Sequence, residues 1–565
     1  MLKKIAVAAA LLLAGCTSRP APAPLPTVPP PPPPLEVQII GINDFHGNLE
    51  TPTSTASVLM ADGSTLSERM GGAAAMAATV KRLRDGKPNS ITVSAGDLIG
   101  ASPLVSAYFL DEPTIQAMNA LGLGINAVGN HEFDKGSAEL LRMQKGGCEK
   151  HTTRIPCRVE PFGGASFEFL AANVQQADGS TIFPGSTVRQ FGPVTVAFIG
   201  MTLKETETLV TPTGVAGLRF MDEAASANAL VPRLKAEGAD AIVLVIHQGG
   251  KPNPNFRQTG CDGFTGSILP ILDKLDPAIS VVVSGHTHYA YACELDRGGA
   301  RRLLTSAGRY GYLVTDIRLT FDPATQALTA KSAVNVPVRP GQGGDEGVSA
   351  LVARYAAAAA PAAARPVGRL KGNAPYSEVY DESPASNLIA DAQLAATRAK
   401  DRGDADISFI NSSGVRTSIT PDASGRVTYG QIFAAQPFGN NLVVKSLTGA
   451  QLKALLEQQF VVEGGRTEVG SLLAPSANFK FSYDLSRPEG QRIVSMRLDG
   501  KPIRPEARYR VTVNNFLASG GDGFSVLTQG TDTFDAGLDL DALEAWLATN
   551  PTAPAVGRTR NVTPR

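Results

Sequence analysis

No histidine follows His288 in this 565-residue chain, no CxxC pair occurs among its five cysteines, and tryptophan appears once. The first absence makes metal binding improbable in the C-terminal half, and the second argues against a thiolate zinc site. Charge of one sign is missing too. The 52 basic side chains balance 52 acidic ones without a long basic run, which argues against a nucleic-acid polymer or a bulk membrane surface as partner. The apolar stretch in MLKKIAVAAALLLAGC is too short to span a bilayer and follows a basic start, the pattern of a removable export signal.

Leu13-Ala14-Gly15-Cys16 resembles a bacterial lipobox. The resemblance implies residues 1–15 as signal, lipidation of Cys16 and an envelope lipoprotein, with Thr17 pointing to the outer membrane. The plain alternative is an ordinary signal peptide cleaved nearby. Ten prolines between positions 20 and 34 make residues 16–35 a stiff spacer between the anchor and the rest of the chain. Four cysteines then remain, an even number that suggests disulfides in an exported protein. The expected pairs are Cys148 with Cys157, closing a small polar loop, and Cys261 with Cys293. None neighbours a catalytic-looking histidine, which disfavours a cysteine nucleophile.

At this length two large domains are expected. Residues 36–345 alternate strand-like and helix-like runs in a βα rhythm. Residues 346–370 are alanine-rich with Pro361 and Pro366, as a helical connector would be. A second α/β segment spans 371–553, and 554–565 reads as an unstructured tail.

Five of the six histidines sit where short aliphatic runs end in glycine-rich polar sequence: VQIIGINDFHG, INAVGNHEFD, AIVLVIHQGG and ISVVVSGHTH, with SITVSAGD as a fifth such run. These runs suit strands buried on both faces, and ligands gather at the carboxyl ends of such strands. Asp44, His46, Asp97, Asn130, His247, His286 and His288 can therefore converge, and seven N/O ligands suit two divalent cations better than one. Asp97, with two carboxylate oxygens, is the natural bridge. Asn130 limits the negative charge around an anionic substrate. His131 is placed to donate a proton, with Asp134 three residues on to fix its tautomer and raise its pKa. Glu132 is an alternative carboxylate, in which case His131 is a ligand. His151, in a polar loop, reads as structural.

The ordered motifs Asn43-Asp44-Phe45-His46-Gly47, Gly96-Asp97, Gly129-Asn130-His131-Glu132, His247 and Gly285-His286-Thr287-His288 resemble the calcineurin-like metallophosphoesterases, and within them the bacterial 5′-nucleotidase, UDP-sugar hydrolase and 2′,3′-cyclic phosphodiesterase family. The resemblance implies a four-layer α/β/β/α domain followed by an α/β substrate-binding domain that rotates against it. One cation would be held by Asp44, His46, Asp97 and His288, and the other by Asp97, Asn130, His247 and His286. The imidazole-rich set favours zinc, with manganese, magnesium and calcium as alternatives.

In the second segment, Asn411 and Arg416 of NSSGVR resemble the family's nucleoside and phosphate contacts, although the turn departs from the motif at Ser412 and Ser413. Phe438 and Phe516 resemble the base-stacking aromatics, Asn440 lies beside the first of them, and Asp522 resembles the ribose-binding carboxylate. A further phosphate arginine is expected, with Arg365 and Arg369 as candidates. The implied reaction is hydrolysis of a nucleoside 5′-monophosphate by in-line attack of a hydroxide shared by two cations, in a monomer with a small-molecule substrate. The rival readings are a cyclic-nucleotide, UDP-sugar or dinucleotide phosphodiesterase and, in another class, a surface nucleotide-binding protein without turnover.

Overall fold

In the computed structural model residues 33–564 are described, except 153, 211, 378–380, 464 and 465. Cys16, the expected export signal and most of the expected proline spacer lie outside the described residues. Among the described residues no helix is long and apolar enough to cross a membrane.

Two six-stranded sheets stack face to face in the N-terminal half. In the first, Leu35–Ile42, Ser90–Ser94, Leu123–Ala127 and Glu168–Leu170 run parallel, with Leu313–Phe321 antiparallel beside Leu35–Ile42 and Leu328–Pro337 at the edge. In the second, Ala300–Ala307, Ile279–Ser284, Ala241–Ile246 and Val194–Met201 run parallel between two antiparallel edge strands. Aliphatic residues fill both faces of these strands because both faces are covered. Val37 and Ile39 join Val93, Ile125, Val243, Val245, Val281 and Val283 in the layer between the sheets. Ile40 and Ile42 point the other way, into helices Ala73–Arg84 and Glu112–Leu121. Helices Glu223–Ala236 and Ile268–Lys274 cover the far face of the second sheet. The result is the four-layer α/β/β/α order expected from the sequence.

The alanine-rich segment forms helix Glu346–Ala363, started by Asp345, whose side chain accepts from the Val348 amide. Pro361 sits in its last turn. Val348, Leu351, Tyr355 and Ala359, at helical spacing, are buried in the first domain's core. The helix is thus a packed layer of that domain, and the chain passes to the second domain just beyond it, where Pro366–Arg369 pairs with Arg426–Thr428.

The second domain is a mixed five-stranded sheet, ordered Leu473–Pro475, Ile407–Asn411, Arg508–Asn514, Asn441–Thr448 and Thr531–Leu538. Helix Pro384–Thr397 lies on one face, entered through a Ser383–Ser386 capping box with Pro384 in its first turn. Leu104 and Ala107 of the first domain are part of the same apolar cluster, which joins the two domains. Both expected disulfides, Cys148–Cys157 and Cys261–Cys293, are present.

The tail corrects the sequence reading. Thr559–Asn561 adds a parallel strand beside Phe479–Tyr483, and Glu382 accepts from the amides of Gly557, Arg558 and Thr559. Arg558 donates to both oxygens of Asp391 at 2.8 and 2.7 Å and to the carbonyls of Asn387 and Pro475. The segment carries no hydrophobic period, so its order comes from long-range ion pairing that local patterning does not reveal. Arg558→Ala should lower stability by about 3 kcal/mol, the low end for breaking a buried pair. Denaturant unfolding measures it, and an unchanged midpoint would show the tail to be dispensable.

Candidate active site

Asp44, Asp97, Asn130, His247 and His286 all lie within a few residues of the carboxyl ends of five parallel strands, Leu35–Ile42, Ser90–Ser94, Leu123–Ala127, Ala241–Ile246 and Ile279–Ser284. The two sheets present these ends on the same side of the sandwich. Two triplets of potential ligand atoms result, Asp44–His46–His288 and Asp44–Asp97–His247, with Asp44 common to both. The expected bridge, Asp97, belongs to one triplet, but its Oδ2 lies 3.0 Å from His247 Nε2 and 3.7 Å from His46 Nε2, between a histidine of each. Asn130 Oδ1 is 3.1 Å from His247 Nε2. The His286 ring packs 5.2 Å from that of His247, while its backbone amide donates to both Asp44 oxygens. His286 is in neither triplet.

The donor set fits divalent cations. His46 and His247 each donate Nδ1–H to a backbone carbonyl, of Gly100 at 2.9 Å and Ala95 at 2.7 Å, which leaves Nε2 as the ligand-forming atom. His46 Nε2 then faces His288 Nε2 at 3.1 Å, and His247 Nε2 faces a carboxylate and an amide oxygen. Electron-pair donors crowded this closely repel unless positive charge lies among them. Burial drives the His46 and His286 pKa values down to about 3, keeping both rings neutral and able to ligate. Burial also pushes Asp44 up to about 7. At His247 burial pulls the pKa down, but Asp97 and Asp44 overcome it and raise it to about 10, so the cluster draws positive charge.

Five of the seven candidate ligands have left-handed backbone: Asp44 (φ 48°), His46 (45°), Asp97 (53°), His286 (68°) and His288 (63°). Each costs about 1–2 kcal/mol for a residue with a Cβ, and such strain gathers where function over-determines the structure. Glu132 opposes it. Its buried carboxylate accepts from the amides of Asp97, Leu98 and Gly129, tying two ligand loops together. Glu132 is thus occupied by backbone and belongs to neither ligand triplet. Gly129 is the close approach that permits this: a Cβ there would lie 2.2 Å from Asp97 Oδ1.

His131 begins the next turn. Its amide donates to Asp97 Oδ1 at 2.9 Å and its Nδ1 pairs with Asp134 Oδ2 at 2.8 Å. Burial works to lower its pKa, but Asp134 and then Asp97 outweigh it and hold the ring above its ordinary value.

A single cavity of about 490 Å³ runs from this cluster into the second domain. Asp97, Asn130, His131, Asp134, His286 and His288 line one end. Asn411, Arg416, Phe438, Asn440, Phe516 and Asp522 line the other. Phe438 stacks toward His131 with ring centroids 6.1 Å apart, and the Arg416 guanidinium carbon lies 6.0 Å from the Phe438 centroid. Arg365 pairs with Glu544 over Tyr429, and Arg369 donates to Ser424 O, so neither candidate for the further phosphate arginine is at the cavity. His151 lies apart, 3.7 Å from Glu149.

Sequence reasoning missed Ser413, Ser471 and Asn514, which surround Asp522 and Asn411, and the wall formed by Glu205–Val210. That wall follows strand Val194–Met201, so the rule that ligands collect at strand ends points to it as well.

Comparison with known proteins agrees with this division. The calcineurin-like phosphoesterase family matches residues 37–290 and the 5′-nucleotidase C-terminal domain matches residues 366–529. Endonuclease YhcR of Bacillus subtilis (strain 168) is 29% identical over 525 residues, 92% of this chain and 40% of that protein. Cell wall protein Lmo0130 of Listeria monocytogenes serovar 1/2a is 29% identical over 528 residues, 86% of this chain and 64% of that protein. This chain therefore spans less than two thirds of either. The crystal structure of the 5′-nucleotidase precursor from Thermus thermophilus superposes with a TM-score of 0.75 at 26% identity, covering 94% of this chain and 100% of that one. The chain carries a calcineurin-like phosphoesterase domain followed by a 5′-nucleotidase C-terminal domain.

Proposed function

We propose that the protein hydrolyses nucleoside 5′-monophosphates to nucleoside and phosphate. The observation that carries this reading is a cavity whose walls join a cluster of metal-ligand side chains to a pair of phenylalanines, an arginine and a carboxylate on another domain. Asp44, His46, Asp97, Asn130, His247, His286 and His288 would hold two divalent cations, zinc by the weight of imidazole. Bound there, the cations supply Lewis-acid stabilisation of phosphoryl charge and lower the pKa of water.

The chain's own residues do the rest. Arg416 compensates the charge that grows on the phosphoryl oxygens. His131, held by Asp134 through Nδ1, presents Nε2 as a proton donor at the phosphate. Phe438 and Phe516 offer faces for a base, and Asn440 and Asp522 offer polar contacts to the nucleoside. Walls from both domains screen part of the cavity from solvent, which strengthens these charges.

The experiment is phosphate release from AMP, 2′,3′-cyclic AMP and UDP-glucose, with metal analysis of the same sample. AMP turnover with two cations per chain is expected. Cleavage confined to the cyclic or sugar nucleotide would move the assignment to a phosphodiesterase, and tight AMP binding without turnover would make it a binding protein. Placement is part of the same reading: Cys16 is lipidated, and residues 16–35 hold a monomeric enzyme off an envelope membrane, the outer one by the residue after Cys16. Lmo0130, named a cell wall protein, is in keeping with an envelope location.

A further inference from the structure

Asp522 Oδ2 accepts three hydrogen bonds from within the chain: from Asn411 Nδ2 at 2.8 Å, Ser413 Oγ at 2.5 Å and Ser471 Oγ at 3.3 Å. A carboxylate has about four lone-pair sites, two on each oxygen, so the two shorter bonds, from Asn411 and Ser413, fill Oδ2, with Ser471 standing further off. The donors are themselves committed. Asn411 spends its second Nδ2 proton on Ser413 Oγ at 2.7 Å, and its Oδ1 accepts from Asn514. Ser413 Oγ, accepting from Asn411, turns its only proton to Asp522. The turn that carries Asp522 is fixed as well, with Asp522 in left-handed backbone (φ 54°) between Gly521 and Gly523. Asn411, Ser413, Ser471 and Asp522 all line the cavity.

A vicinal diol binds a carboxylate best with one hydroxyl on each oxygen. Here the network has taken one oxygen. We propose that Ser413 is a specificity-determining residue: by occupying Asp522 Oδ2 it leaves Oδ1 alone to a sugar, so that the site reads one of the two ribose hydroxyls and tolerates nucleotides lacking the other. The inference rests on the nucleotidase reading above. In it Asn411, expected from the sequence to contact the nucleoside, also orients Asp522.

The test compares kcat/KM for AMP, 2′-deoxy-AMP, 3′-deoxy-AMP and 2′,3′-dideoxy-AMP on the intact protein and on Ser413→Ala and Ser413→Gly. One monodeoxy nucleotide should stay within about threefold of AMP. The other, and the dideoxy nucleotide, should fall by about tenfold or more, as the loss of a hydrogen bond to a charged group requires. In either variant Oδ2 is partly released, and the tolerated deoxy nucleotide should lose at least about fivefold relative to AMP. Tenfold losses on both monodeoxy nucleotides in the parent protein, or ratios unmoved by both substitutions, would overturn the inference while leaving the nucleotidase reading intact. Turnover of p-nitrophenyl phosphate with none of any nucleotide would overturn both.

Discussion

Asp97→Ala should leave the protein folded, with its cation content reduced well below two per chain and AMP hydrolysis lowered by on the order of 10³-fold or more. The carboxylate is almost wholly buried, and its Oδ2 lies between His247 and His46, one from each half of the ligand cluster. Its Oδ1 also anchors the amide of His131. Removing it takes away a carboxylate set between the two halves of the cluster and loosens the turn that carries the proton donor. Several kcal/mol of transition-state charge stabilisation go with the cations, and each 1.36 kcal/mol is a factor of ten in rate. Folding should survive because the substitution relieves the burial of a charge and leaves Glu132 holding the Leu98 and Gly129 amides. Mass-spectrometric metal analysis beside phosphate release decides it. Two cations per chain with less than a tenfold loss in rate would refute the assignment of Asp97.

The ligand cluster was legible in the sequence because each of its members follows an aliphatic run that has to be a buried strand. Parallel strands in stacked sheets deliver their ends to one side, so five such runs place seven side chains together without any knowledge of the loops. What was not legible is whatever depends on loop geometry. DxH alone does not reveal that Asp44 and His46 both take left-handed backbone, or that Asp44 is the carboxylate common to both triplets. Glu132, the alternative ligand carboxylate beside His131, is instead consumed by three amides from two loops. In the second domain Phe438, Phe516 and Asp522 were readable only through resemblance. Ser413, a small polar residue in a turn, carried no periodic signal. The tail failed for the same reason as the arginines: Arg365, Arg369 and Arg558 look alike in sequence, and their partners at Glu544, Ser424 and Asp391 are set by the tertiary fold.

His131→Ala should retain both cations and nucleotide binding while losing about 10²- to 10⁴-fold in rate, the usual yield of a positioned general acid. His131 is in neither ligand triplet, so its loss need not disturb the metals. Asp134→Asn supplies the more discriminating measurement. The amide can still accept from Nδ1, so the tautomer and ring position survive while the negative charge is gone. Burial pulls the His131 pKa down and Asp134, then Asp97, pull it up to a net increase. Without Asp134 the balance moves downward. A proton donor is active when protonated and fails as pH rises through its pKa, so a lower pKa brings the alkaline fall in rate to lower pH. The pH–rate profile of Asp134→Asn should therefore lose activity from its alkaline side first, with acid-side rates closer to those of the parent protein and metal content unchanged. Activity gained on the acid side with the alkaline limb unmoved would mean that His131 works as a base, and an unchanged profile that it moves no proton in the rate-limiting step.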